Sequence, residues 1–151
     1  MKNTLKKLAF IFILLPLTFS ATKDNNAAEK FIVIVHAENT LETISRKKLS
    51  KMFLKKTSRW ESQDLIVPVD QKIESPTRIA FTTTIHKKKI SSVKAYWQKK
   101  IFTGRAIPPV ELSSDKEVLN YIVENPGAIG YVSAECKIST HSVKKLAVLY
   151  K

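Results

Sequence analysis

Seven residues, Phe31 to Ala37 (FIVIVHA), constrain the fold of this chain more than any other stretch, because they form a nearly continuous apolar, β-branched run. A strand of that kind has no face to offer water, so it must be packed on both sides, as in a parallel sheet with helices on each face. The remaining chain has to supply those layers. Leu49, Met52 and Phe53 in SRKKLSKMFLKK fall at helical spacing behind Ser45, a suitable N-cap. LIVPV, Leu65 to Val69, predicts a second strand, and its Pro68 marks an end or an unpaired position.

A helix is expected to begin at Pro76 and run through RIAFTTTIH, carrying Ile79, Phe81 and Ile85. Its three threonines are poor helix formers, so tertiary packing has to hold it. Val93, Tyr96, Trp97 and Ile101 lie at i, i+3, i+4 and i+8, which predicts an amphipathic helix ended by Gly104, followed by an extended loop at Pro108-Pro109. Ser114 and Glu117 form a capping box, so another helix starts at Asp115 and stops at Asn125-Pro126-Gly127. AIGYV and VKKLAVLY then read as strands. The expected architecture is an α/β single-domain three-layer sandwich with a mostly parallel sheet.

The N-terminus sets the compartment. Met1 to Lys7 is basic and Leu8 to Phe19 is apolar apart from Pro16 and Thr18. At about 1.5 Å per residue those twelve residues span roughly 18 Å as a helix, short of a ~30 Å hydrocarbon core. They read as a cleaved signal peptide, residues 1–20, before a polar lead-in, 21–30, and one domain, 31–151. The expected location is periplasmic or secreted, with the mature protein soluble. The 131 residues left suffice for one core, and the formal charge falls from +13 to +10. Outside the cytosol that charge points to oxyanions, anionic lipid or acidic wall polymers rather than to nucleic acid. Cys136 is the one cysteine, so packing must hold the fold without a disulfide.

Between the strand at Leu65–Val69 and the helix at Pro76 lies the chemistry. Ser75 can cap free amides, Pro76 suits the first helical position, and Arg78 puts a cation where the helix dipole disfavours one. An oxyanion bound there resolves the conflict: first-turn amides, the Ser75 and Thr77 hydroxyls and the Arg78 guanidinium all donate. Asp70 and Gln71, at the strand end, would orient Arg78 or take the proton of a protonated oxyanion. The alternative is an ordinary capped helix whose arginine is solvated or pairs with Glu74.

The order LSKMFLKK, W, IVPVDQ, SPTRIAF, AYWQKKIFTG, PP and LSSDKEVLNYIVENPGAIGYV resembles the phosphate-type substrate-binding proteins of ABC transporters, in the type II periplasmic binding protein superfamily. The likeness runs from Phe31 almost to Lys151. It implies one lobe of such a protein, with phosphate or a similar inorganic oxyanion as ligand. In larger members a Ser-Gly-Thr-Thr or Ser-Gly-Thr-Arg turn holds the anion; Ser75, Thr77 and Arg78 match its first, third and fourth positions. Pro76 departs from the glycine and removes an amide. Gly127 and Gly130 are expected to serve backbone geometry. The resemblance also implies a permease, or a second lobe-like chain, to complete the cleft. If three or so charge-assisted bonds at roughly 1.5–3 kcal/mol each are missing, about three to six decades of affinity go with them.

A second reading uses HKKKISSVKAYWQKK, His86 to Lys100, as a basic module for anionic membrane or cell-envelope polymers; its alternative is a solvated lysine face, Lys87 to Lys100, over buried Tyr96 and Trp97. Catalysis is not expected: His36, His86 and His141 show no metal-ligand spacing, no Gly-x-Ser-x-Gly elbow is present, and no cofactor or metal is called for.

Overall fold

The computed structural model describes residues 30–139 and 141–150. The expected signal peptide, and the lead-in as far as residue 29, lie outside them. Among the described residues one six-stranded sheet has the order β2–β6–β1–β5–β3–β4. The strands are β1 (Phe31–His36), β2 (Thr43–Ser45), β3 (Val67–Gln71), β4 (Val110–Leu112), β5 (Ala128–Ser133) and β6 (Val143–Leu149). The helices are α1 (Arg46–Phe53), α2 (Pro76–Phe81), α3 (Ile90–Phe102) and α4 (Asp115–Glu124), with a π-helical turn, Thr82–His86, continuing α2.

Five strands run the same way and β1 alone opposes them. It pairs antiparallel with β5 and β6, whereas β2–β6, β3–β5 and β3–β4 are parallel. The sheet is therefore mostly parallel, but the strand whose apolar run suggested a parallel neighbourhood is the reversed one. Two-sided burial is what the run encodes, and it is met: Phe31, Val33 and Val35 join a core with Leu49, Met52, Phe53 and Phe81. Ile34 joins the core on the other face with Val118, Leu119 and Ile122 of α4. Strand direction is set by connections, which the pattern does not report.

Because β2, β3 and β4 run the same way and each runs into a helix, the N-termini of α1, α2 and α4 all lie at one end of the sheet, where these strands finish. All three are capped by a serine: Ser45, Ser75 and Ser114 accept from the amides of Lys48, Arg78 and Glu117. Each cap contributes about 1 kcal/mol. Pro68 sits in β3 one residue before the pairing with β4 begins at Val69, so its missing N–H costs no bond on that side.

Several elements differ from expectation. The segment after α2 is π-helical, not α-helical, and Ile79 is exposed instead of packed. In α3 only Val93 and Trp97 are fully buried, against Leu54; Ile101 is 54% exposed. Val110–Leu112, to which the sequence assigned no element, pairs with Val69–Gln71 as edge strand β4, and β2 is an unforeseen strand at the other edge. Gly127 and Gly130 are close-approach positions: an added Cβ would lie 2.5 Å from the Leu65 carbonyl oxygen or 2.9 Å from Val118 Cγ1.

Candidate functional site

At the helix-bearing end of the sheet, β3 finishes on Asp70 and Gln71, and strand alternation sends their side chains to opposite faces. The turn that follows is closed by the Ser75 amide donating to the Lys72 carbonyl at 2.9 Å. Ser75 holds an extended φ/ψ, as an N-cap must, and Pro76 opens α2. Arg78 is then the third helical residue, and its side chain turns inward: only 4% of it is exposed.

A buried guanidinium needs a counter-charge, and Asp70 supplies it. Arg78 Nη1 lies 2.8 Å from Asp70 Oδ1 and donates at 2.7 Å to the Gln71 carbonyl; Glu111 Oε1 stands 3.7 Å away. The Tyr131 hydroxyl also donates to Asp70 Oδ1, at 2.5 Å, while its ring stacks on Phe81. Burial pushes the Asp70 carboxyl up to about 6, against the pull of Arg78 and the Tyr131 bond, with Glu111 adding to the rise. The carboxyl thus titrates at about pH 6. Tyr131 is itself pushed well above the usual phenol range, first by burial and then by Asp70.

Gln71 organises the other face. Its side-chain amide donates to Asp115 Oδ1 at 2.7 Å and to the Tyr131 carbonyl at 3.2 Å, and its Oε1 accepts from Ser75 Oγ at 2.6 Å. Asp115, the first residue of α4, accepts from the Ser133 amide and hydroxyl. Asp70, Gln71, Ser75 and Arg78 therefore form one network joining β3, β5, α2 and α4. Thr77 is half-buried and makes no hydrogen bond to the other four.

The inward orientation answers the dipole conflict differently from the sequence reading: the negative partner of Arg78 is Asp70, and Glu74 is not involved. A pocket of about 250 Å³ opens beside the guanidinium, lined by Ile73, Arg78, Lys94, Gln98 and Glu111 among others. It holds two cations and one carboxylate. A larger cavity, about 510 Å³, lies at the opposite end of the strands and is lined by Glu38, Glu61 and Asp64, the wrong sign for an anion.

Sequence reasoning missed Tyr131, Asp115, Glu111 and Lys94. Tyr131 carried a readable signal, since a tyrosine inside an otherwise apolar strand needs a hydroxyl partner. The other three become neighbours of the site only through α4, β4 and α3, which carry Asp115, Glu111 and Lys94 in turn. Among the described residues no three His, Cys, Asp or Glu side chains are grouped to hold a metal ion.

Residues 18–148 match a family model described as a PBP superfamily domain. No curated protein matches the sequence. Among solved structures the chain is similar to a protein described as a phosphate ABC transporter substrate-binding protein, with bound phosphate, from Clostridium perfringens; identity is 18%, coverage 79% of this chain and 44% of that one, and TM-score 0.62. It is similar to an ABC-type phosphate transport receptor from Vibrio cholerae, at 17% identity, 79% and 46% coverage and TM-score 0.61. A third, PstS from Borrelia burgdorferi, gives 20% identity, 79% and 47% coverage and TM-score 0.54. The chain spans less than half the length of each, and the likeness is one of fold.

Proposed function

The chain belongs to the family of the PBP superfamily domain, and from that premise we propose that it is an exported solute-binding lobe that takes phosphate or a similar oxyanion at the first turn of α2. The observation that carries this reading is Arg78. Every described bond of its guanidinium runs through Nη1, so Asp70 and the Gln71 carbonyl anchor the group while Nε and Nη2 remain to meet an oxyanion in fork geometry. The Thr77 hydroxyl and amide stand on the same turn, and Lys94 adds a cation across the pocket. In this role Ser75 and Gln71 hold the turn, Asp70 aims the arginine, and Arg78 with Thr77 meets the ligand.

The proteins of similar fold whose descriptions name phosphate are more than twice as long as the matched region, which favours a site completed by a permease surface or a second lobe-like chain. Alone, the lobe binds weakly. The test is thermal unfolding against phosphate, sulfate and chloride at matched ionic strength, with Thr77→Val and Lys94→Ala beside the wild type. Both substitutions leave the Asp70–Arg78 pair intact. A saturable, phosphate-dependent rise in Tm is expected, with affinity about tenfold weaker in each variant. A rise equal to that in chloride, or one unchanged in both variants, would contradict the assignment.

A further inference from the structure

Three large apolar side chains stand in solvent at the C-terminal end of α3 and in the loop behind it: Phe102 is 94% exposed, Ile107 73% and Ile101 54%. Phe102 comes nine residues after Val93, which places it on the side of α3 opposite the buried Val93–Trp97 stripe. It is therefore presented outward, beyond the reach of any core. The chain reverses at Gly104, whose φ of +62° permits the tight turn, and Ala106 packs back against Leu54 and Trp97. The result is a fixed apolar tip on a packed element.

The surroundings of that tip have one sign. From Ser75 to Val110 the chain contains no Asp or Glu, and Lys87, Lys88, Lys89, Lys94, Lys99, Lys100 and Arg105 all lie in this span. Lys99 and Arg105 flank the tip and are exposed; Lys100 lies over the Tyr96 ring, whose hydroxyl donates to the Leu54 carbonyl. Glu111, on β4, is the nearest acidic residue in sequence after the tip, and it is turned toward Arg78. Isolated exposed apolar residues need no explanation, but three at one helix end inside an uninterrupted basic field do.

We propose that this tip is a peripheral docking surface for an anionic lipid bilayer, with Phe102, Ile101 and Ile107 entering the interfacial layer and the lysines and Arg105 facing the headgroups. A second copy of the chain is disfavoured as occupant because it would bring the same cations to the contact. An acidic polymer would match the charge and leave the apolar side chains without a role. No helix among the described residues is long and apolar enough to span a membrane, so the contact is one of surface docking. Ile101 also lines the pocket beside Arg78, whereas Phe102 and Ile107 do not, so the test is read from those two and does not depend on anion binding in the pocket.

The experiment uses the full chain carrying Phe102→Trp, with vesicles of phosphatidylglycerol and phosphatidylcholine, of phosphatidylcholine alone, and with brominated acyl chains. The native Trp60 and Trp97 are buried, so the indole introduced at the tip reports locally, and the apolar N-terminal stretch is common to every sample. A blue shift and bromine quenching of that indole on anionic vesicles only are expected. Phe102→Ser with Ile107→Ser should weaken vesicle binding roughly a hundredfold, and Lys99→Gln about fivefold. Salt-sensitive binding with no quenching, unchanged in the serine variant, would mean a purely electrostatic polyanion surface and would overturn the proposal. So would equal quenching on neutral vesicles, or concentration-dependent dimerisation abolished by the serine variant.

Discussion

Arg78 and Asp70 are a buried ion pair whose members respond differently to loss of the other. A carboxyl deprived of its cation can protonate, whereas a guanidinium deprived of its anion stays charged. Arg78→Met removes the one neighbouring charge that pulls the Asp70 carboxyl down, so the pH at which Asp70 titrates is expected to rise further above its present value of about 6, read from the pH dependence of urea unfolding; an unchanged profile would contradict the pairing. Asp70 also makes the site pH-dependent. As pH falls through about 6 its charge is lost and the pocket becomes more positive, so the affinity for sulfate, which does not titrate in this range, should rise. Sulfate titrations at pH 5 and pH 7 measure this directly. His86, buried with Nδ1 at 2.9 Å from Ser50 Oγ, has its pKa lowered to about 4, by burial first and then by Arg78, Lys88 and Lys56. Its stabilisation is complete above pH 6.5 and is lost as pH falls toward 4, up to about 3 kcal/mol. Asp70 acts with opposite sign, its contribution being full below pH 3.8 and lost as pH rises through about 6. The two slopes overlap, so the wild-type unfolding free energy should vary little between pH 4 and 6. His86→Gln should turn that plateau into a decline with rising pH; an unchanged profile would contradict the assignment.

At the scale of elements, α1, α4 and both long strands near the C-terminus were legible because caps, periodic apolar positions and β-branched runs agree there. Ser45 and Ser114 cap where the pattern puts them. Three features were not legible. The direction of β1 is fixed by its antiparallel neighbours β5 and β6, which lie about a hundred residues away in sequence. The strands β2 and β4 are three residues each, too short to show a period. The π-helical turn falls on Thr82-Thr83-Thr84, where β-branched residues weaken an α-helix and burial of Phe81 and Ile85 sets the path instead. The site divides similarly: Ser75 and Arg78 could be marked from a cap and a misplaced charge, and Asp70 and Gln71 as residues that orient the arginine, but the burial of Arg78 and the bond from the Ser75 hydroxyl to Gln71 could not. Two substitutions test how elements are joined. Ser75→Ala removes the α2 cap and the bond to Gln71, and should cost about 1–2 kcal/mol. Gly127→Ala places a methyl against the Leu65 carbonyl, next to the Trp60 Nε1 bond to the Gly127 carbonyl, and should cost about 2 kcal/mol or more in the same assay.

Across the whole molecule, a parallel set of strands delivers three capped helix N-termini to one end of the sheet, and the only deeply buried arginine–carboxylate pair among the described residues lies there. Basic charge is concentrated on α3 and its flanks, and one of those residues, Lys94, reaches the pocket beside Arg78, so the field that attracts an anion leads toward the place where it would be held. The most direct test of the oxyanion assignment is a ¹H–¹⁵N NMR titration of the chain with phosphate at constant ionic strength. The expected result is saturable movement of the Thr77 and Arg78 amides and the Arg78 Nε–H, absent with chloride. Movement confined to residues 87–105, or none at millimolar phosphate, would contradict it.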